Sequence, residues 1–289
     1  MNLHSLNFRR ATQQTAFAAF RMATWVVLGS LAGILVFVFV HGVEAISWQF
    51  LTDAPKDSMT KGGIFPAIMG TIYLTVGALI VALPLGVAAA IYLSEYATQG
   101  RLLRVIRLGI ANLAGVPSVV FGLFGMALFC VFFGFGISIL AGSLTLGMLV
   151  LPTVIGAAEE ALRQVPNTFR EASLGLGATR WYTIRKVVLP AALPGILTGT
   201  ILSMGRAAGE TAPIMFTAAT FYTLHTPSSL LDEVMALPYH IYVLATAGTH
   251  IEQTRPLQYG TVMVLISLVL GMSLVAIILR TRLRKDKKW

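Results

Sequence analysis

Residues 165–190 read Val165-Pro-Asn-Thr-Phe-Arg-Glu-Ala-Ser-Leu-Gly-Leu-Gly-Ala-Thr-Arg-Trp-Tyr-Thr-Ile-Arg-Lys-Val-Val-Leu-Pro190, a basic stretch set between two long apolar runs. Thr168-x-x-Glu171 has the form of a capping box, in which a hydroxyl and a carboxylate satisfy the first amides of a helix. Gly175 and Gly177 follow as stop signals, and a second helix is expected from about Thr179 to Pro190. The stretch therefore predicts a short helix, a glycine turn and a second helix. On these residues alone, two readings stand: a linker whose Glu171 only caps, or a surface shaped to seat in another protein.

The flanking runs decide the class. Of 289 residues 56% are hydrophobic and 11% are charged, less than half the charge of an average soluble domain. About 20 consecutive apolar residues cross a bilayer core as a helix. Six such spans are expected, roughly Met22–Val40, Phe65–Leu93, Ile110–Phe133, Ala141–Ala161, Gly195–Phe221 and Tyr259–Leu279. Leu230 to Ala247 is apolar too, but Asp232, Glu233, Pro238 and His240 argue against lipid around it. Arg9 and Arg10 ahead of an apolar run, with Val43-Glu44-Ala45 after it, suggest a signal peptide. The run from Met22 to Val40 is longer than the ~7–15 residues of a signal core, so a retained first span is expected.

The chain is an all-α membrane protein by this reading, and its basic residues orient it. With six spans and both termini cytoplasmic, Arg9, Arg10, Arg21, Arg101, Arg104, Arg107, Arg163, the basic residues of the 164–194 loop and the tail from Arg280 to Lys288 all lie inside. Only Lys56, Lys61 and Arg255 lie outside, and Arg206 falls within a span. That asymmetry is a topology signal rather than a nucleic-acid footprint. The organisation expected is a cytoplasmic arm at 1–21, a membrane domain at 22–280 with its core at 63–280 and the loop at 164–194, and a basic tail at 281–289.

Catalytic and metal motifs are missing. No G-x-x-x-x-G-K-[ST], H-E-x-x-H or G-x-S-x-G occurs, the five histidines lack ligand spacing, and Cys130 is the only cysteine. An enzyme is disfavoured, and energy for any driven process must come from a partner. Pro84, Pro117, Pro152 and Pro213 are expected to kink their spans. Gly195-x-x-x-Gly199 and Gly205-x-x-x-Gly209 are expected to let another helix approach closely. Arg206 and Glu210 lie four residues apart inside the fifth span, hence on one helix face. Two charges there mean either a structural ion pair or a midplane site where a guanidinium meets an anion, and the residues alone leave both open.

Glu171-Ala172-Ser173, three residues, Gly177, nine residues, Val187, one residue and Leu189-Pro190 resembles the E-A-A-x3-G-x9-I-x-L-P loop of ABC-importer permeases. Ser for the second Ala and Val for Ile are the departures. The resemblance implies the six-helix type I importer (MetI-like) permease fold, in which this loop couples to the ATPase. Asn167, Thr168, Arg170, Glu171, Ala172, Ser173, Gly177 and Ala178 are then the expected contact residues. Arg206-Ala-Ala-Gly-Glu-Thr-Ala-Pro-Ile-Met-Phe-Thr-Ala218 is similar to the R-A-x-G-E-T-A-P-x-x-x-T-A pattern of PstA-type permeases of bacterial phosphate importers. Pro84-Leu-Gly-x4-Ile-Tyr-Leu-x-Glu-Tyr96, Pro117-Ser-x3-Gly-Leu-Phe124 and Pro194-Gly-Ile-x-Thr-Gly199 resemble that family as well.

This resemblance implies a bacterial inner-membrane permease subunit with Arg206, Glu210 and Thr211 on the substrate pathway. It implies as partners a sibling permease, an ABC ATPase dimer that binds the ATP and magnesium, an external phosphate-binding protein, inorganic phosphate and the lipid bilayer. No nucleic acid and no cofactor of the chain's own are expected. A permease for another oxyanion such as phosphonate or molybdate is the first alternative, and an ATP-independent channel or scaffold the second.

Overall fold

Proline and glycine decide where the apolar runs become one helix and where they break. The computed structural model describes residues 3–59, 61–223, 225–247 and 251–285. In chain order it has helix α1 (Leu3–Gly42), a short α2 (Trp48–Thr52) and a two-stranded antiparallel hairpin, β1 (Pro55–Lys56) with β2 (Lys61–Gly62). Helix α3 (Phe65–Ile91) then ends in a wide turn at Tyr92–Tyr96. Helices α4 (Arg101–Ala114) and α5 (Ser118–Gly125, extended by a wide-turned segment to Phe132) precede α6 (Ile139–Arg163). The loop helices are α7 (Asn167–Gly175) and α8 (Arg180–Thr183), followed through Ile184–Val188 by α9 (Leu189–Gly209). Helices α10 (Ala212–Thr217), α11 (Leu237–Thr246) and α12 (Ile251–Lys285) complete the chain. The basic tail runs on as α12 to Lys285, and its last residues, 286–289, lie outside the described part.

Among the described residues, five helices are long and apolar enough to cross a membrane, or six when the bent α4–α5 pair counts as one span. Helix α6 is the centre. Two-thirds of its apolar window is buried, against 6% for α1 and 0% for α12. It packs between α3 and α9, and small residues set the spacing. A Cβ at Gly199 would come within 2.2 Å of the Ala157 side chain, and one at Gly195 within 2.7 Å of that of Ala161. The first of the two expected close-approach pairs is thus used. The second is not: Gly209 has nothing within 4 Å and Gly205 meets only Val269 at ordinary contact distance. Helices α1 and α12 lean on each other at the rim, with Phe37 edge-on to Tyr259.

Four expectations need correction. The third span is not a straight helix from Ile110 to Phe133, because α4 and α5 meet at 98°. Pro117 stands at the N-cap of α5 with ψ 138, and lacking an N–H it cannot carry α4's hydrogen-bond ladder across. The fifth span is not one helix to Phe221; α9 stops at Glu210, whose ψ of 131 is extended. Pro213 starts the next short helix. Pro84 and Pro152, by contrast, sit inside continuous helices. The second loop helix runs on past Pro190, since Arg180–Thr183, a wide-turned segment over Ile184–Val188 and α9 follow one another without a break. The capping box, the fourth, is treated with the loop below.

The tempting stretch at Leu230–Ala247 contains only α11, ten residues and roughly 15 Å long, half a bilayer core. The segment before it closes the top of α6. Ser138, Ile139 and Leu140 donate their amides to the carbonyls of Thr217, Asp232 and Leu230, each at 2.9 Å. The first amides of a helix have no partners within it; the turn at Leu230–Asp232 accepts those of Ile139 and Leu140, and Thr217 at the end of α10 accepts that of the N-cap Ser138.

Candidate functional site

The loop between α6 and α9 is built by two termini that differ from the expected ones. Pro166, not Thr168, is the N-cap of α7, so Thr168 is already helical and makes no cap bond. Proline suits a helix start because the missing N–H has no partner there in any case. At the other end, Gly177 has φ +82 and donates to the Leu174 carbonyl at 2.9 Å, while Ala178 donates to that of Ser173 at 3.2 Å. This crossed pair is a Schellman ending, and its left-handed residue favours glycine. Thr179 then caps α8 by accepting from the Tyr182 amide at 3.3 Å. Ser173, where the family pattern has alanine, has a use: the Ser173 and Thr183 hydroxyls share a hydrogen bond of 2.9 Å between the two loop helices.

An open, largely apolar groove of ≈ 770 Å³ results, lined among others by Phe169, Ala172, Ser173, Gly177, Ala178 and Tyr182. In its lining Leu176 is 90% exposed and Tyr182 more than half exposed. An apolar side chain turned that fully out of a well-made turn has no role in this chain's own core. Of the expected contact residues, Ala172, Ser173, Gly177 and Ala178 line the groove, and Asn167, Thr168 and Glu171 are exposed on the rest of α7.

Arg170 points the other way. Its Nη2 lies 2.7 Å from Glu95 Oε1, and its Nε lies 3.2 and 3.3 Å from the two Glu95 oxygens. Its remaining donors go to the carbonyls of Val165 at 2.7 Å and Leu162 at 2.9 Å and to the Asn167 side-chain oxygen at 3.4 Å. From the second loop helix, Arg180 donates to the Glu95 carbonyl and stacks its guanidinium over the Tyr96 ring, 5.2 Å from the centroid. Glu95 is 8% exposed. The end of α3 is thus gripped by arginines from both halves of the loop. A similar tie holds α4 to α6, where Glu159 receives Arg107 at 2.7 Å and Arg163 at 2.6 Å. Roles for Glu95, Arg180 and Thr183 escape a reading of the loop alone. A carboxylate at the end of an apolar span is the signal that points to Glu95, since it needs a cationic partner.

The second region is the break between α9 and α10. Arg206 lies in the last turn of α9, and its Nε meets Glu210 Oε1 at 3.3 Å. Both Nη groups of Arg206 are without a hydrogen-bond partner among the described residues, and the side chain is 39% exposed. Thr211, half-buried, follows at the break itself. Helix α10 is held against α5 at Gly122, where a Cβ would come within 3.0 Å of Pro213 Cα and 3.1 Å of the Ala212 carbonyl. The three expected pathway residues are therefore together, at an interrupted helix in an apolar stretch. The loop site and this break stand at separate places along α9.

Comparison with known proteins agrees with this architecture. Residues 82–288 match the family described as binding-protein-dependent transport system inner membrane component. The chain is 31% identical over 288 residues to the probable ABC transporter permease protein YqgI of Bacillus subtilis (strain 168), covering 96% of this chain and 98% of that one. It is 35% identical over 280 residues to the phosphate transport system permease protein PstA 1 of Mycobacterium tuberculosis (strain CDC 1551 / Oshkosh), with 95% and 91% covered. Among solved structures, an inward-facing MetNI methionine ABC transporter matches with TM-score 0.57 at 19% identity, over 76% of this chain and 94% of that one. A bacterial ABC transporter that imports the acidic polysaccharide alginate matches with TM-score 0.59 at 14% identity, over 97% and 99%. At such identities the two structures speak for the fold alone.

Proposed function

Since the chain belongs to the binding-protein-dependent transport system inner membrane components and is an ABC importer permease subunit, we propose that its cargo is inorganic phosphate and that Arg206 meets it on the pathway. One observation carries the reading: Arg206 is tethered at Nε while both Nη groups are left without partners at a helix break. A guanidinium offers a planar fork to a phosphate, and two free N–H groups on one edge suit bidentate, charge-assisted bonds. The 35% identity to a phosphate transport system permease supports the same cargo. Glu210 orients Arg206, and Thr211 adds a hydroxyl donor where the backbone turns.

The groove around Ala172, Ser173, Gly177 and Ala178, with the exposed Leu176 and Tyr182 in its lining, receives the ATPase partner. Arg170 contributes from behind, by fixing α7 on Glu95, rather than by touching that partner. Closure of the ATPase dimer then moves α7 and α8 together with the end of α3. The chain's permease core spans 63–280, flanked by the 1–21 arm and the 281–289 tail, with both ends cytoplasmic, and a sibling permease supplies the other wall of the path.

The test is labelled phosphate uptake by the reconstituted importer carrying Arg206→Ala. Uptake falls on the order of 100-fold, because the anion loses a charge-assisted bidentate partner, while assembly with the ATPase is unchanged. Normal uptake removes the anion site. Uptake of molybdate or a phosphonate in preference to phosphate by the unaltered importer reassigns the cargo.

A further inference from the structure

Helix α4 is divided into three faces. Successive residues project 100° apart, so Leu103, Ile106 and Ile110 share one side, and it packs on Leu93 and Ile155. Leu102 and Val105 share a second side and are 73% and 64% exposed. Arg101, Arg104 and Arg107 share the third, along a groove of ≈ 660 Å³ whose floor includes Leu103, Leu108 and Ala111. Arg107 is committed to Glu159. Arg101 and Arg104 are exposed, with no ion pair or side-chain hydrogen bond among the described residues.

The placement of this helix points to what meets those charges. Helix α4 turns through 98° into α5, so when α5 stands along the membrane normal α4 lies in the membrane plane. It begins five residues after Tyr96, which Arg180 of the loop overlies, so it lies on the loop side of the membrane. A helix in that plane with an exposed apolar face and a basic edge matches the arrangement that settles at the boundary of headgroups and acyl chains. We propose that the Arg101–Arg104 edge binds the phosphate headgroup of an anionic phospholipid, with its acyl chain along Leu108 and Ala111. Each arginine near an anionic leaflet adds attraction that an uncharged surface cannot supply. The occupant is a lipid because apolar floor and basic rim are adjacent, whereas a free phosphate needs only the rim.

The experiment uses the whole importer, purified and exchanged into phosphatidylglycerol or phosphatidylcholine, with retained lipid counted by native mass spectrometry. The unaltered protein retains phosphatidylglycerol preferentially, and Arg101→Gln with Arg104→Gln lowers that retention on the order of tenfold. Arg101→Lys with Arg104→Lys keeps most of it, which separates loss of charge from loss of folding. Millimolar inorganic phosphate leaves the retained lipid in place. Equal retention of the two lipids, or of phosphatidylglycerol by the Gln variant, overturns the proposal. Displacement by inorganic phosphate also overturns it, assigning the edge to a free anion. Protection of Arg101 and Arg104 from phenylglyoxal on subunit assembly in phosphatidylcholine alone does so too, by placing a protein there.

Discussion

Two arginine–glutamate pairs in this chain have the same chemistry and opposite construction. Arg170 and Glu95 are 75 residues apart in sequence, meet through three short contacts, and expose 18% and 9% of their side chains. Every direction around that guanidinium is filled, because two backbone carbonyls and the Asn167 side-chain oxygen take the donors the carboxylate leaves. Arg206 and Glu210 are one helical turn apart, meet through a single 3.3 Å contact, and expose 39% and 17%. Saturation makes the first pair a joint. The second pair leaves both Nη groups of Arg206 without a hydrogen-bond partner among the described residues, the capacity that the proposed anion site needs.

The comparison breaks most visibly when the joint loses its charge. Glu95→Gln keeps the shape of the side chain but leaves Arg170 buried with no counter-charge. Removing one partner of a buried pair costs about 3–5 kcal/mol, and the 18% residual exposure of Arg170 places this case at the lower end. Thermal unfolding of the purified importer should drop accordingly. On the proposed coupling, ATP hydrolysis per substrate imported should rise, because α7 would no longer move as one with α3. An unchanged melting temperature together with unchanged stoichiometry breaks the claim that Glu95 is a joint.

A smaller effect is expected at the turn that shapes the groove. A Cβ on Gly177 meets nothing within 4 Å, so Gly177→Ala adds no clash. The cost is conformational alone, since φ +82 is a left-handed backbone, and it amounts to about 1 kcal/mol. The measurement is affinity for the ATPase partner alongside melting temperature. Gly177→Asn, which tolerates that backbone better, should recover part of both. A loss equal to that of Glu95→Gln would mean that the turn, and not the joint, carries the load.

How much of this was legible in the residues differs between the regions for a physical reason. Apolar runs and small-residue spacing are local, and they point to α3, α6 and a close approach at Gly195–Gly199, though not to α6 as the helix that makes it. Helix ends are local too, but several signals compete there. Thr168 and Glu171 have the letters of a capping box, yet Pro166 starts α7 two residues earlier and makes Thr168 an interior position. Pro117 and Pro213 predict only kinks from the residues alone, because membrane helices absorb many prolines, as Pro84 and Pro152 do. Which proline bends a span by 98° depends on what packs beyond it. Gly122 against Pro213 is a contact between residues far apart in sequence. The Glu95 joint is non-local in the same way, whereas Arg206 and Glu210 showed themselves through their four-residue spacing.

Glu210→Gln is the same substitution applied to the other pair, and it sharpens the contrast by being almost silent for stability. An exposed one-turn ion pair contributes about 0.2–1 kcal/mol, so the melting temperature should hold while Glu95→Gln lowers it. Transport responds in the opposite sense. The amide keeps an oxygen where Oε1 accepts from Arg206 Nε, so the guanidinium stays oriented. The negative charge that repels an incoming anion is gone, and the phosphate concentration for half-maximal uptake should fall several-fold. Glu210→Ala removes the acceptor as well and should raise that concentration, since an untethered Arg206 must be ordered at the moment of binding. If both variants shift uptake equally, Glu210 acts only through its charge. If neither does, the pair at the α9–α10 break is as closed to substrate as the one at Glu95.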